Sequence, residues 1–227
     1  PAVSHEAMFT PARLDACTSD EARAAVEELS RWVDGRPPRL GRVRLGCDVG
    51  EGVGNASSVV VARNDVRILE IDASPFSTAE DAALAMIRLG AKWGARESDW
   101  SYDGNGSTGL KMKKALAKHG IRGARDHRGS EGGLKHAENM RTGVAMAFER
   151  RLDPSNVARG EAWRPFYIEP DQHWESLREE LLALKLGLKG RKSALQRKED
   201  LAESLGRSPD YADAFLMTFH EEALRGF

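Results

Sequence analysis

The fold is decided by residues 42–71, which read RVRLGCDVGEGVGNASSVVVARNDVRILEI. Apolar and polar residues alternate over 43–49, the period of two that is typical of a half-buried strand. Two further runs, 58–62 and 66–71, are rich in β-branched residues and are separated by a short polar turn. The pattern predicts three antiparallel strands that follow one another along the chain.

Helices and further strands are predicted after this unit. Small and apolar residues recur at helical spacing over 79–90, and a short strand is predicted over 99–103. A helix over 110–119, a strand over 121–124 and a helix over 138–150 follow. This order predicts an α/β fold, in which parallel strands join the three antiparallel ones in a mixed sheet flanked by helices.

The C-terminal part is predicted to be mainly helical. Apolar side chains recur at spacings of three and four residues over 174–188, which predicts one amphipathic helix. The basic stretch 185–198 is predicted to continue it. The last helix is predicted to open with Ser208 as N-cap and Pro209 at its first helical position.

Residues 1–40 are predicted to be a helical appendage or linker, and residues 41–227 a single domain. The helix of this N-terminal segment is predicted over 20–29, with Ser19 as its N-cap. The prolines at 37 and 38 then end the helical pattern. Since the sequence starts at a proline, we expect it to be a fragment of a longer protein.

The composition excludes several classes of protein. Lys and Arg number 34 against 35 for Asp and Glu, so the net charge of −1 excludes a generally polybasic binder but allows a local basic groove. No run approaches the roughly 18 apolar residues that span a bilayer. The two cysteines, Cys17 and Cys47, cannot form a disulfide framework, so a reducing cytosol is expected.

Four aspartates stand where they could serve one site. Asp48 and Asp103 each end a predicted strand before glycine-rich chain, while Asp210 and Asp213 share a face of a predicted helix. Each of them alone is as typical of a turn or a helix terminus. Together they are the oxygen donor set that Mg²⁺ or Mn²⁺ prefers. Two such ions would activate water and stabilise the leaving oxygen of a phosphodiester.

These motifs resemble the C-terminal nuclease domain of tailed-bacteriophage terminase large subunits, over about residues 42–216. The resemblance is carried by Asp48 with Gly50 and Gly52, Tyr102-Asp103-Gly104-x-Gly106, Asn139-x-Arg141, Lys198 and Gly206-x-Ser208-Pro209-Asp210-x-x-Asp213-Ala214. It implies an RNase H-like (RuvC-like) fold and a Mg²⁺- or Mn²⁺-dependent endonuclease that cleaves double-stranded DNA during genome packaging. By this resemblance Asp48, Asp103 and Asp213 are the catalytic metal ligands, and Asp210 is a supplementary ligand or base.

The resemblance also implies contacts with DNA. Lys198 precedes the closing helix at the spacing of the family and would neutralise the scissile phosphate. Arg141, Arg128 and Lys192 are further candidates for contacts with the DNA backbone, which dominate affinity in such proteins. For these residues a solvated surface role stays equally open.

A full terminase large subunit also carries an N-terminal ATPase domain, and this sequence contains no phosphate-binding loop of the required order. We therefore expect the sequence to be the nuclease half, with residues 1–40 as its tether. The implied partners are double-stranded DNA, the ATPase domain, the small terminase subunit and the portal, in the host cell cytoplasm. No membrane partner is expected, and the isolated domain is expected to be a monomer.

Two other interpretations stay open at this point. A RuvC-like junction resolvase or an RNA–DNA hybrid nuclease would use the same acids and would differ only in substrate. In a non-catalytic assembly module of the packaging motor, the acids would only stabilise turns. Failure to bind Mn²⁺ would favour the second interpretation.

Overall fold

The computed structural model describes residues 6–31, 40–50, 58–73, 78–153 and 166–226. Its larger sheet contains the strands β2 (Arg44–Asp48), β3 (Val59–Arg63), β4 (Ile68–Asp72), β5 (Trp100–Asp103) and β6 (Arg125–His127). Their order is β4-β3-β2-β5-β6. The first three are antiparallel neighbours, and β5 and β6 continue the sheet as parallel strands. The predicted mixed sheet is confirmed.

Helices cover both faces of this sheet. They are α1 (Pro11–Ala16), α2 (Asp20–Leu29), α3 (Ala79–Trp93), α4 (Gly106–Lys118), α5 (Met140–Leu152), α6 (Trp174–Ala183), α7 (Lys198–Leu205), α8 (Asp210–Met217) and α9 (His220–Arg225), with a short 3₁₀ helix at Glu97–Asp99. One hydrophobic core joins the sheet to α3 and α4, and another joins it to α5, α6 and α8. No helix in the described ranges has the length and apolar character to cross a bilayer.

Strand β2 lies at the centre of the sheet and serves both cores. Leu45 and Cys47 face the core of α3 and α4, because side chains alternate along a strand. On the other face, a β carbon at Gly46 would collide with the carbonyl oxygen of Ala214. Helix α8 therefore lies directly against the backbone of β2, next to the strand end that carries Asp48.

Residues 6–31 pack against the rest of the fold. Strand β1 (Glu6–Ala7) pairs antiparallel with a strand of the C-terminal part, β7 (Lys185–Lys189). Phe9 and Leu14 are buried in the core of α5, α6 and α8, where the ring of Phe9 lies 5.4 Å from that of Phe148. The Ser19 N-cap of α2 is confirmed, since its side chain accepts from the Ala22 N–H. The domain boundary near residue 40 stays a prediction.

The predicted helix over 174–188 is wrong in its last five residues. Helix α6 ends at Ala183, and the basic stretch forms a hairpin of β7 and β8 (Lys192–Leu195). Gly190 has a φ of +65° in the turn between these strands, a conformation that glycine adopts without strain. Leu188 in β7 continues the leucine spacing of the helix, but its side chain is exposed. The spacing there does not reflect a buried helix face.

Three other boundaries differ from prediction. Strand β6 begins at Arg125, because Ser101 pairs there and not with the apolar segment 121–124. Helix α4 begins at Gly106, four residues before the predicted start. Helix α8 begins at Asp210 with Pro209 as its N-cap residue, so Ser208 does not cap it.

Candidate active site

Three parallel strands end side by side with polar residues. Asp48 is the last residue of β2, Asp103 of β5 and His127 of β6. Cys47 pairs with Tyr102, and Asp103 pairs with His127, so the three strand ends form one row. Residues in one row of a sheet point to the same face. The carboxyl ends of parallel strands are where α/β folds bind ligands.

Three helices complete the site above this row. Asp213 lies in the first turn of α8, Lys198 is the first residue of α7, and Arg141 is the second residue of α5. Together the strand ends and helices line a cavity that is open to solvent. Its charged and titratable lining residues are Asp48, Asp103, His127, Arg141, Lys198 and Asp213. The three acids that the sequence singled out as catalytic are thus brought together.

The ammonium group of Lys198 lies between two of the acids. Its Nζ is 2.6 Å from Oδ2 of Asp213 and 3.5 Å from Oδ2 of Asp48. Burial acts to lower the pKa of Lys198, but the charges of Asp48 and Asp213 outweigh it and raise that pKa. The lysine therefore remains a cation and acts as the counter-charge of the acids.

One lysine does not balance all three acids. Burial, with the charges of Asp213, Asp210 and Asp103, raises the pKa of Asp48 despite the opposing effect of Lys198. Burial also raises the pKa of Asp103, although Asn105 opposes it by donating two hydrogen bonds to Oδ1 of Asp103. The cavity therefore favours additional positive charge.

Asp213 is the acid with the strongest cationic support. Burial opposes its ionisation, yet Lys198 and Arg141 together lower its pKa. Nε of Arg141 lies 3.4 Å from Oδ1 of Asp213, and Nη1 donates to the carbonyl of Gln196 at 2.9 Å. The Nη2 of Arg141 is buried and has no hydrogen-bond partner among the described residues. One donor on the wall of the cavity thus remains unused.

Three sequence candidates lie outside the cavity lining. Asp210, at the start of α8, is buried but does not line the cavity. Arg128 follows β6 and pairs with Asp126, its Nη2 lying 3.0 Å from Oδ2. Lys192 begins β8 and donates to the carbonyl of Leu134 at 2.7 Å. The roles predicted for these residues stay predictions.

The residues present fit a divalent cation by their chemistry. Among the residues that the structure describes, no three His, Cys, Asp or Glu side chains form a closed metal-binding group. The carboxylates are instead arranged around the Lys198 ammonium. Their oxygens are the donors that Mg²⁺ and Mn²⁺ prefer, and burial, with the neighbouring acids, raises the pKa of Asp48.

Two lining residues were missed or misplaced by the sequence. The sequence did not single out Asn105, although its side chain donates to Asp103. His127 lies beyond the strand predicted over 121–124, so the sequence did not place it at a strand end. If the strand predicted over 121–124 were placed three residues later, His127 would stand at a strand end, as Asp48 and Asp103 do.

Comparison with known proteins gives matches only at the level of structure. No protein-family model matches the sequence, and no curated protein matches it. The nuclease domain of the large terminase subunit gp2 of bacterial virus Sf6 superposes with a TM-score of 0.73 at 20% identity, over 95% of this chain and 99% of that one. A mutant of that domain, with manganese and β-thujaplicinol, gives a TM-score of 0.75 at the same identity and coverage.

A second phage protein shares the architecture more distantly. The large terminase nuclease from thermophilic phage G20c, with bound magnesium, superposes with a TM-score of 0.52 at 13% identity. That match covers 80% of this chain and 81% of the other. The RNase H-like fold predicted from the sequence is therefore confirmed, and the chain has the fold of the nuclease domain of phage large terminase subunits.

Proposed function

We propose that the protein is a metal-dependent endonuclease that hydrolyses phosphodiesters of double-stranded DNA during phage genome packaging. The observation that carries this proposal is the convergence of Asp48, Asp103 and Asp213, from three separate elements, in one cavity. Such proximity is energetically unfavourable for acids that have no function, because buried like charges repel. The structural likeness to the Sf6 and G20c nuclease domains supports the same conclusion.

Asp48, Asp103 and Asp213 would hold Mg²⁺ or Mn²⁺, with Asp210 as a supplementary group. Two such ions, when bound, would supply an activated water and stabilise the leaving oxygen. The structures of the Sf6 and G20c domains that contain manganese and magnesium support divalent cations as the cofactor.

The cationic side chains would bind and orient the DNA backbone. Nη2 of Arg141, which is buried without a partner in the described part of the chain, would donate to a phosphate oxygen after the side chain moves towards the cavity. Lys198 would turn from its acids towards the scissile phosphate. Further out, Arg128 is largely exposed beside the lining residue Gly129, and Lys192 belongs to the basic hairpin of β7 and β8. Contacts with the DNA backbone do not depend on the base sequence, and they weaken as the salt concentration rises.

We further propose that the domain works as part of a packaging motor in the host cell cytoplasm. Its partners there would be an ATPase domain, a small terminase subunit and a portal. The support is that the similar nuclease domains are parts of large terminase subunits. Alone, the domain would be a monomer.

The proposal is tested by cleavage of supercoiled plasmid with Mn²⁺, Mg²⁺ or EDTA, with Asp48→Ala beside the parent protein. Asp72→Asn is the matched control, because Asp72 is also a buried acid at the end of a strand but does not line the cavity. Nicking and linearisation that need metal, vanish in Asp48→Ala and persist in Asp72→Asn are expected. No cutting by a folded parent protein would contradict the proposal, and preference for a four-way junction or an RNA–DNA hybrid would redirect it.

A further inference from the structure

His127 completes the row of strand ends that carries the acids. It pairs with Asp103 across β5 and β6 and lines the same cavity. Residue and side chain are buried, so His127 is not part of the exposed loop that follows it. Neither the acids nor the cations proposed above need an imidazole in this position.

A second buried histidine fixes one side of this imidazole. Nδ1 of His127 lies 2.9 Å from Nδ1 of His220, the first residue of α9, and the rings meet edge to face at 5.2 Å. Two facing ring nitrogens can share only one proton. Burial and the neighbouring His220 lower the pKa of His127 to about 3, although Asp213 opposes them. With only one proton between the two rings, the tautomer of His127 depends on His220.

The other nitrogen of the ring, Nε2 of His127, is free to meet a ligand. It has no hydrogen-bond partner among the described residues, yet it does not belong to the buried polar atoms that lack a partner. It therefore keeps access to solvent. His127 lines the cavity and His220 does not, and Nε2 is the ring nitrogen that does not face His220.

We propose that His127 binds a phosphate oxygen of the DNA strand through its Nε2–H, while His220 holds that tautomer by donating from its own Nδ1–H to Nδ1 of His127. The inference rests on the proposed function, since it names a further group for the same substrate. A phosphate oxygen only accepts hydrogen bonds, so it selects the tautomer with the proton on Nε2. A neutral donor also binds phosphate without repelling the divalent cations beside it, as a lysine or arginine would.

The tautomer is measured first, by ¹⁵N NMR of the histidine side chains in the whole chain. A protonated Nε2 and an accepting Nδ1 on His127 are expected. Addition of a short DNA duplex with Ca²⁺ is then expected to shift the Nε2 signal of His127. A proton on Nδ1 of His127, or an unmoved Nε2 signal while duplex is bound, would overturn the proposal.

A pair of variants tests the same bond in cleavage. Gln places its amide nitrogen near the position of Nε2 and Asn near that of Nδ1, so His127→Gln is expected to keep the parent KM within about threefold. His127→Asn is expected to raise KM about tenfold, the size expected for a lost hydrogen bond to a charged group. Mn²⁺ affinity by calorimetry and the unfolding temperature are expected to match between the two variants.

The outcomes separate this inference from the proposed function. Equal KM in the two variants, with normal cleavage by both, would remove His127 from substrate binding and leave the nuclease intact. A folded parent protein that neither binds nor cuts the duplex would overturn the proposed function and this inference with it. If both variants fold poorly, the DNA-induced shift of Nε2 in the parent protein decides the question.

Discussion

Arg63 and Lys198 are both cations that face acids, and they differ in how completely their neighbours satisfy them. Arg63, at the end of β3, is 0% exposed, and each of its three guanidinium nitrogens donates a hydrogen bond. It donates to the side chain and carbonyl of Thr218 at 2.6 and 2.8 Å and to Glu222 at 2.7 Å. Its guanidinium also lies 3.6 Å from the centre of the Phe219 ring.

Lys198 is 37% exposed and meets more carboxylates than it can neutralise. The Arg63 guanidinium is therefore satisfied by its neighbours and joins β3 to the break between α8 and α9. The Lys198 cluster is held together by the fold but is left short of positive charge and open to solvent. The candidate site differs from an ordinary internal ion pair because its acids lack enough positive charge. Burial and charge alone do not distinguish the two.

The largest expected effect is on DNA cleavage and comes from an acid of the Lys198 cluster. Asp213→Asn keeps the shape of the side chain but removes a charge from the cavity. We expect plasmid cleavage to fall by at least about 10³-fold, because a ligand of the metal-dependent reaction is lost. The free energy of unfolding, measured in urea, is expected to fall, because Lys198 and Arg141 lose a partner, but the protein is expected to stay folded. Cleavage at the parental rate would remove Asp213 from the site.

Arg63→Met should show the opposite behaviour. Removing one partner of a buried ion pair costs about 3–5 kcal/mol, because Glu222 and the Thr218 groups lose their donor. We expect a loss of stability of that size in urea unfolding. Cleavage per folded molecule should remain within about threefold of the parent. A stable Arg63→Met protein that no longer cuts would break the distinction between the two clusters.

A third ionisable group, Glu180, extends the comparison to the pH dependence of stability. Glu180 of α6 is fully buried, pairs with Arg207 and accepts the N–H of Ala212 at 2.7 Å at the start of α8. Burial raises the pKa of Glu180 to about 7 from 4.5. The stability linked to its protonation is thus fully present below pH 4.5 and is lost as the pH rises through about 7.

The expected loss for Glu180 is roughly 3 kcal/mol over this range. It is measured as the difference in urea unfolding between pH 4.5 and pH 8, compared with Glu180→Gln. The glutamine can still accept from Ala212 but does not titrate, so its unfolding should lack this component. Identical pH dependence in the two proteins would contradict the assignment.

The smallest expected effect concerns Lys198 itself. In Lys198→Gln the ammonium no longer competes with a divalent cation for Asp48 and Asp213. We expect Mn²⁺ to bind the DNA-free protein on the order of threefold to tenfold more tightly in calorimetry, because like charges no longer repel. Lys189→Gln is the control, since Lys189 is exposed and pairs with Glu138 away from the cavity. Unchanged or weaker Mn²⁺ binding would show that the lysine is not a counter-charge of the acids.

The sequence was most informative where local pattern and position in the fold agree. The alternation around Asp48 and the short strand before Asp103 predicted both strand ends, and parallel pairing of β2 with β5 then brings the acids together. The spacing of Asp210 and Asp213 predicted a helix that carries acids. It could not show that Asp213, and not Asp210, lines the cavity, because that depends on how α8 sits on β2.

Other parts could not be predicted because they depend on contacts between distant segments. Leu184 and Leu188 continue the periodicity of α6, and the pairing of β7 with β1 at the far end of the chain overrides it. His127 and His220 are 93 residues apart, and Arg63 and Thr218 are 155 apart. A lone histidine or arginine in a sequence carries no sign of such a partner.

Gly46 determines how closely β2 and α8 approach each other. Because no side chain separates β2 from α8 at that point, two backbones in direct contact set the span between the acid on the strand and the acid on the helix. Substitutions elsewhere on either element can repack the core and leave that span as it was. A designer who wished to retune the cavity for a larger ion would therefore begin at position 46, before altering any of the acids.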